Sequence, residues 1–131
     1  MLSYLVESFP LDFPVLCSEL IDMISEYRVY CIDGAIKGIA NYKKPEEDPG
    51  VTIDMAVVEE AVKLFYAQPG APRGCSMDFA IVKKDTEGGA PDYQTGLIEV
   101  NDGFALGWYE GVAPEDYTDL LIARWKQLMG L

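Results

Sequence analysis

Histidine is absent from the 131 residues. That single gap excludes Ser-His-Asp and Cys-His nucleophilic catalysis, His-ligated zinc and imidazole acid-base work, and leaves any chemistry to carboxylates, amides, Lys and Arg. Cysteine is scarce: Cys17, Cys31 and Cys75 are odd in number, widely spaced and form no CxxC pair, so neither a disulfide framework nor a Cys-only zinc site is indicated. Reduced core thiols in a cytoplasmic protein are the expectation. Basic residues are few, 10 Lys and Arg against 22 Asp and Glu, for a formal net charge of −12; a general nucleic-acid binder needs the opposite sign. No apolar run approaches the ~20 residues that cross a bilayer, so no membrane partner is expected. The opening stretch MLSYLVESFPLDFPVL carries Glu7, Pro10, Asp12 and Pro14 and no basic region, which argues against a signal peptide. Internal repeats and low-complexity tracts are missing as well.

What is present is apolar enough to fold. Half of the residues are hydrophobic and 11% aromatic, so residues 1–131 are expected to form a single domain that buries roughly two thirds of its unfolded surface. Between Pro14 and Asn41, β-branched and aromatic residues alternate or cluster as in two or three strands. The Asp33-Gly34 pair between YRVYCI and AIKGIA fits a two-residue hairpin turn, whose central residues need positive φ. KKPEEDPG, residues 43–50, reads as a solvated loop. Asp54 offers an N-cap for MAVVEEAVKLFYAQ, with an apolar stripe of Val57, Val58, Ala61, Val62, Leu64 and Phe65.

PGAPRG, residues 69–74, stops that helix, and CSMDFAIVKK follows as a strand, Met77, Phe79 and Ile81 on one face and Asp78, Ala80 and Val82 on the other. After the turn-rich DTEGGAPDYQ, the segment TGLIEVND is a second strand pairing with it as a hairpin, with Ile98 and Val100 facing away from Leu97, Glu99 and Asn101. A last helix over 114–129 starts at an N1 proline, Pro114, with acids early and Lys126 late, as the helix dipole prefers. Strands, helix, strands, helix, with hairpin neighbours, make an α+β class: a mostly antiparallel twisted sheet covered by two helices.

Two clusters carry candidate chemistry. Strand alternation puts Glu99 and Asn101 on one face, and Asp78 on the neighbouring strand sits across from them. These are oxygen donors only. Two opposed carboxylates need a counter-charge, and a hard divalent cation such as Mg2+ suits them; a solvated acidic outer face of a hairpin accounts for the same spacing. Asp102 is either a further ligand or the following turn. In the second cluster, Ser18 and Glu19 are followed by Glu26, Arg28 and Tyr30 on one strand face. Arg28 needs an anion there, either a local ion pair with Glu26, which the spacing favours, or a phosphate. Tyr30, Trp108 and Tyr109 fit a ligand pocket or ordinary core packing.

Together, SELIDMISEYRVYCIDGAIKG, DFAIV and LIEVND resemble the nucleotide hinge, strand-hairpin and metal signature of the C-terminal half of the ATP-grasp fold, over about residues 14–110. Their wording is closest to an ATP-grasp clade of poorly defined substrates. The resemblance implies an ATP-binding role for Glu19 and Leu20 at the adenine edge and for Glu26 at the ribose. It also implies that Arg28 faces the phosphates or an acyl phosphate as the catalytic cation, and that Asp78, Glu99 and Asn101 hold Mg2+. Family members make an acyl phosphate from a carboxylate and let an amine or other nucleophile attack it. The pattern also departs from the family. About sixteen residues precede Cys17, without lysine or glycine, where an N-terminal lobe is expected, and the position two before Asp78 is Ser76 rather than a basic residue. The expectation is a nucleotide-binding ligase half completed by a homodimer mate or an N-terminal-lobe partner. The alternative is a non-catalytic remnant acting as a binding or regulatory module. An open sheet edge is expected to give a dimer or an exposed apolar patch.

Overall fold

A computed structural model describes residues 12–15, 17–45, 50–86 and 88–131. The opening stretch up to residue 11 and residues 46–49 of the expected loop lie outside the described residues. Strand β1, Asp22–Ile32, turns into β2, Ala35–Lys43, through Asp33 and Gly34, whose φ values of 49° and 84° are the positive pair that a two-residue hairpin requires. Arg73 clamps the Asp33 carboxylate through two hydrogen bonds of 2.9 and 2.7 Å, tying the turn to the segment that enters the next strand.

Helix α1, Met55–Tyr66, begins where Asp54 accepts a hydrogen bond from the Ala56 amide at 2.9 Å. Val58 and Val62 are buried, with Ala61 and Phe65 beside them. Val57 and Leu64 are 40% and 57% exposed, outside the buried stripe expected of them, because one helix resting on a sheet buries only a narrow i, i+3, i+4, i+7 face. α1 carries the chain over to β3, Gly74–Lys84, which hairpins into β4, Asp92–Asp102. The sheet order is β2-β1-β3-β4, antiparallel throughout. β3 is therefore internal and buried continuously from Gly74 to Val82.

Alternation along β1 and β3 splits the core in two. Val29, Cys31, Cys75, Met77, Phe79 and Ile81 pack with Val58 and Val62 of α1. Tyr30 and Ala40 face the other way, against Val112 and Leu120. Leu120 belongs to α2, Pro114–Met129, which starts on its proline and ends on Gly130 at φ 70°. α2 lies so close to β3 that a Cβ on Gly74 would collide with the Leu120 carbonyl oxygen. Arg124 grips Asp102 at 2.6 and 2.5 Å, and Gln127 donates to the Ala71 carbonyl at 3.1 Å. The result is the α+β architecture expected, a four-stranded antiparallel open sheet with a helix on each face. Cys31 and Cys75 are buried thiols, whereas Cys17 is exposed and not part of the core.

Candidate functional site

Register assembles the site on the α2 side of the sheet. Arg28 on β1 pairs with Asp78 on β3, Asp78 pairs with Glu99 on β4, and Ser76 pairs with Asn101. Paired residues share a face, so five polar positions line up across three strands. The Arg28 guanidinium donates two parallel hydrogen bonds to Asp78, Nε to Oδ1 at 2.8 Å and Nη2 to Oδ2 at 2.6 Å. It also stands 3.9 Å from Glu99 Oε1. Asn101 donates its amide to that same Glu99 oxygen at 3.0 Å. Asp78 is 1% exposed, whereas the Glu99 side chain is 55% exposed, so the network runs from a dry interior to solvent. The bond to Asp78 holds the Arg28 guanidinium even more firmly protonated than usual, against the opposing effect of burial.

Two β-bulges shape the cluster. Tyr42 is the extra residue on β2 between the Glu26–Lys43 and Tyr27–Asn41 pairs. Its hydroxyl lies 2.9 Å from Glu26 Oε2 and 3.4 Å from Asp78 Oδ2; one proton serves both, the closer bond being to Glu26. Lys43 holds the other Glu26 oxygen at 2.5 Å. The bond to Lys43 draws the Glu26 carboxyl below the usual range, and burial, together with the bond to Glu26, pushes the Tyr42 phenol up. The Tyr42 ring stacks on Tyr109, centroids 4.8 Å apart and planes within 9°. The Arg28 Cζ sits 5.6 and 5.1 Å from those two rings, within cation-π range. Beside the stack opens a cleft of about 580 Å3 lined by Ile39, Asn41, Tyr42, Lys44, Tyr109 and Glu110.

The second bulge lies on β4, between the Asp78–Glu99 and Phe79–Leu97 pairs. It corrects simple alternation, because Leu97 falls opposite Phe79 instead of following Glu99 and Asn101. The Glu26–Arg28 ion pair favoured by spacing does not form either. Residues two apart on a strand are about 6.6 Å apart along the chain, whereas Asp78 lies directly across and matches the guanidinium fork with both oxygens. Glu26 turns to Lys43 and Tyr42 instead.

Of the sequence-derived candidates, Glu26, Arg28, Asp78, Glu99 and Asn101 thus meet in one network of hydrogen bonds and a longer Arg28–Glu99 ion pair. Glu19 and Leu20 precede β1 on exposed chain, Leu20 fully so, and make no hydrogen bond to the cluster among the described residues. Asp102 is committed to Arg124, whose bond lowers its pKa. Tyr30 is core, its hydroxyl donating to the Gly107 carbonyl at 2.9 Å and accepting from the Tyr109 amide at 3.1 Å. With the Trp108 indole donating to the Val112 carbonyl at 2.9 Å, it fixes the segment that lays Tyr109 over Arg28. Tyr42 and Lys43 are the members that sequence reasoning missed; their only signal was a position at the strand end facing Glu26.

The donor set of Asp78, Glu99 and Asn101 is all oxygen, the chemistry of a hard divalent cation. In the present arrangement Arg28 already compensates Asp78, and among the described residues no group of three His, Cys, Asp or Glu is placed to hold a metal. Glu99 and the Asn101 amide are the solvent-facing half of the set. Ser76 Oγ, fully buried beside Asn101 in register, has no hydrogen-bond partner among the described residues. A family profile described as an ATP-grasp domain, the second family of its clade, matches residues 3–120. Neither a curated protein nor a solved structure matches the chain.

Proposed function

The chain belongs to this family of ATP-grasp domains, and from that premise we propose that the network from Glu26 to Asn101 is the nucleotide- and Mg2+-facing wall of an ATP-dependent carboxylate ligase. ATP-grasp domains bind ATP, generally with Mg2+. The observation that carries the assignment is the continuous polar network in which hydrogen bonds link Glu26, Tyr42, Asp78 and Arg28, and a 3.9 Å ion pair from Arg28 to Glu99 extends it to Asn101.

In this reading Glu26, charged and anchored by Lys43, accepts from the ribose hydroxyls, and the chain around Glu19 and Leu20 meets the adenine. Asp78, Glu99 and Asn101 would hold Mg2+, which when bound neutralises phosphate charge and orients the transferred group. Arg28 is the catalytic cation: its guanidinium stabilises charge developing on the γ-phosphoryl oxygens, turning toward them from one prong of its contact with Asp78. A substrate carboxylate oxygen attacks the γ-phosphorus, the bond to the bridging oxygen breaks and ADP leaves. A nucleophile such as an amine then attacks the acyl carbon and expels inorganic phosphate. Arg28 and Lys43 are each already paired with a carboxylate. Further phosphate grip is therefore assigned to a second lobe or partner chain, for which the exposed Leu97, Ile98 and Val100 of edge strand β4 offer an apolar contact. The chain, cytoplasmic in this reading, carries a charge of −12 that repels free nucleotide, so binding is expected to need the cation.

Titration calorimetry of ATP with and without Mg2+, on the wild type and on Glu99→Gln, tests this. Saturable binding that requires Mg2+ and weakens at least about tenfold in Glu99→Gln, with an unchanged unfolding curve, is the expected result. Equal affinity with and without Mg2+, or in both proteins, would remove Glu99 from the metal role. No binding at millimolar Mg-ATP would remove nucleotide binding from this chain acting alone.

A further inference from the structure

α2 has a second face that neither the sheet nor the nucleotide reading uses. Leu120 and Ala123 are buried against the sheet, and Arg124 and Gln127 reach Asp102 and Ala71. On the opposite side Thr118, Ile122, Trp125 and Met129 follow one another at intervals of four, three and four, one stripe of a helix. Ile122, Trp125 and Met129 are 45%, 54% and 68% exposed and, with Leu121, Lys126 and Leu131, line a shallow apolar groove of about 380 Å3. Most of this stripe follows residue 120, where the family match ends. A contiguous exposed patch of large apolar side chains on so acidic a surface marks a contact surface.

The charges beside the stripe select its occupant. Glu115 and Asp119 flank it toward the N-terminus, Lys126 toward the C-terminus, all on the same edge at 3.6 residues per turn. We propose that a second copy of this chain docks here, α2 against α2, antiparallel about a dyad at Ile122. Such a dyad sets Ile122 on the partner's Ile122 and Trp125 against the partner's Thr118. It brings Lys126 opposite the partner's Asp119 and Glu115, and repeats each contact by symmetry. A parallel two-fold would instead turn this charged edge toward the partner's opposite edge, which carries Leu121 and Leu128, and leave Lys126 without an acidic partner. The antiparallel one also opposes the two helix dipoles favourably. With a charge of −12 on each copy, random encounters repel, so stable association needs this local match of sign as well as the apolar contact.

Sedimentation velocity of the full chain from about 1 to 200 μM, where mass action separates monomer from dimer, is the test. The expected species at the upper end has twice the 14.5 kDa chain mass. Ile122→Asp, at an exposed position, should weaken association more than tenfold while circular dichroism stays unchanged. Asp119→Lys and Lys126→Asp should each weaken it, and the double exchange Asp119→Lys/Lys126→Asp should recover most of the loss. A monomer at every concentration overturns the proposal and leaves the stripe to a different protein. A dimer indifferent to Ile122→Asp overturns the surface, and single exchanges without effect, or without rescue in the double, overturn the antiparallel pairing.

Discussion

On the α1 side of β1 and β3, Val29, Cys31, Cys75, Met77, Phe79 and Ile81 are buried and apolar or thiol, and Ser25, whose hydroxyl donates to the Lys43 carbonyl at 3.1 Å, is a buried polar exception toward the strand end. One residue along the same strands, on the α2 side, stand Glu26, Arg28, Tyr30, Ser76 and Asp78. The first face is held by volume, since close-packed interiors gain from dispersion and burial without regard to direction. The second is held by direction: Arg28 and Glu26 depend on Asp78, Lys43 and Tyr42 across the sheet, and Tyr30 depends on the 107–109 segment. Cys31 follows this division too, because its contact with the neighbouring Cys75 and burial push its pKa up and keep it an inert core group. Both faces hang on one backbone register, and a slip of a single residue would exchange them.

The largest expected effects break each face by its own mechanism. Phe79→Ala on the apolar side should cost about 3–5 kcal/mol, through lost burial and a residual cavity. Asp78→Ala on the polar side should cost a comparable amount, about 3–5 kcal/mol, by stranding the Arg28 guanidinium, whose side chain is 11% exposed. The difference appears in the rescue. Arg28→Met added to Asp78→Ala should return much of the lost stability in urea unfolding, whereas it should leave the Phe79→Ala deficit in place. If the double variant is no more stable than Asp78→Ala, the polar face is held by packing after all.

The same division decides what could be read from the sequence. The Asp33-Gly34 turn, the Asp54 cap, the Pro114 start and the opposition of Asp78 to Glu99 are local or period-two features, and each stands where its residues put it. Spacing points Arg28 to a neighbour on its own strand because its actual partner lies 50 residues away and is delivered by the crossover through α1. The bulges at Tyr42 and Ile98 are settled by pairing between strands, which no stretch of single chain displays, so neither the contact of Tyr42 with Glu26 nor the face of Leu97 follows from alternation. Val57 and Leu64 continue the helical period yet stay exposed, since periodicity marks a face and not how wide a sheet covers it.

A smaller change sharpens the polar side. Tyr42→Phe keeps the ring stacked on Tyr109 and beside Arg28 but removes the hydroxyl shared by Glu26 and Asp78. Loss of about 1 kcal/mol is expected from the missing hydrogen bond. Tyr42→Leu, which also removes the cation-π contact, should cost more than Tyr42→Phe. Equal costs in urea unfolding would mean that the ring adds nothing beyond its hydroxyl.

The smallest effect is the most selective, because the carboxylates that respond to protons lie outside the apolar cluster. Glu26 bonded to Lys43, Asp102 to Arg124 and Asp33 to Arg73 all have folded-state pKa values below their unfolded ones. Each therefore contributes stability that is present above the unfolded value near pH 4 and is lost as pH falls through the folded one. The pairs are partly exposed, so each is expected to contribute on the order of 1 kcal/mol or less. Urea midpoints should stay level from about pH 8 to 5 and decline below about pH 4. In Arg124→Met, where Asp102 loses its partner, the decline should be shallower. In Phe79→Ala the whole curve should sit lower with its shape unchanged, since no carboxyl lies among the residues that pack around Phe79. A change of shape in Phe79→Ala would mean that the two faces are coupled through more than their shared register.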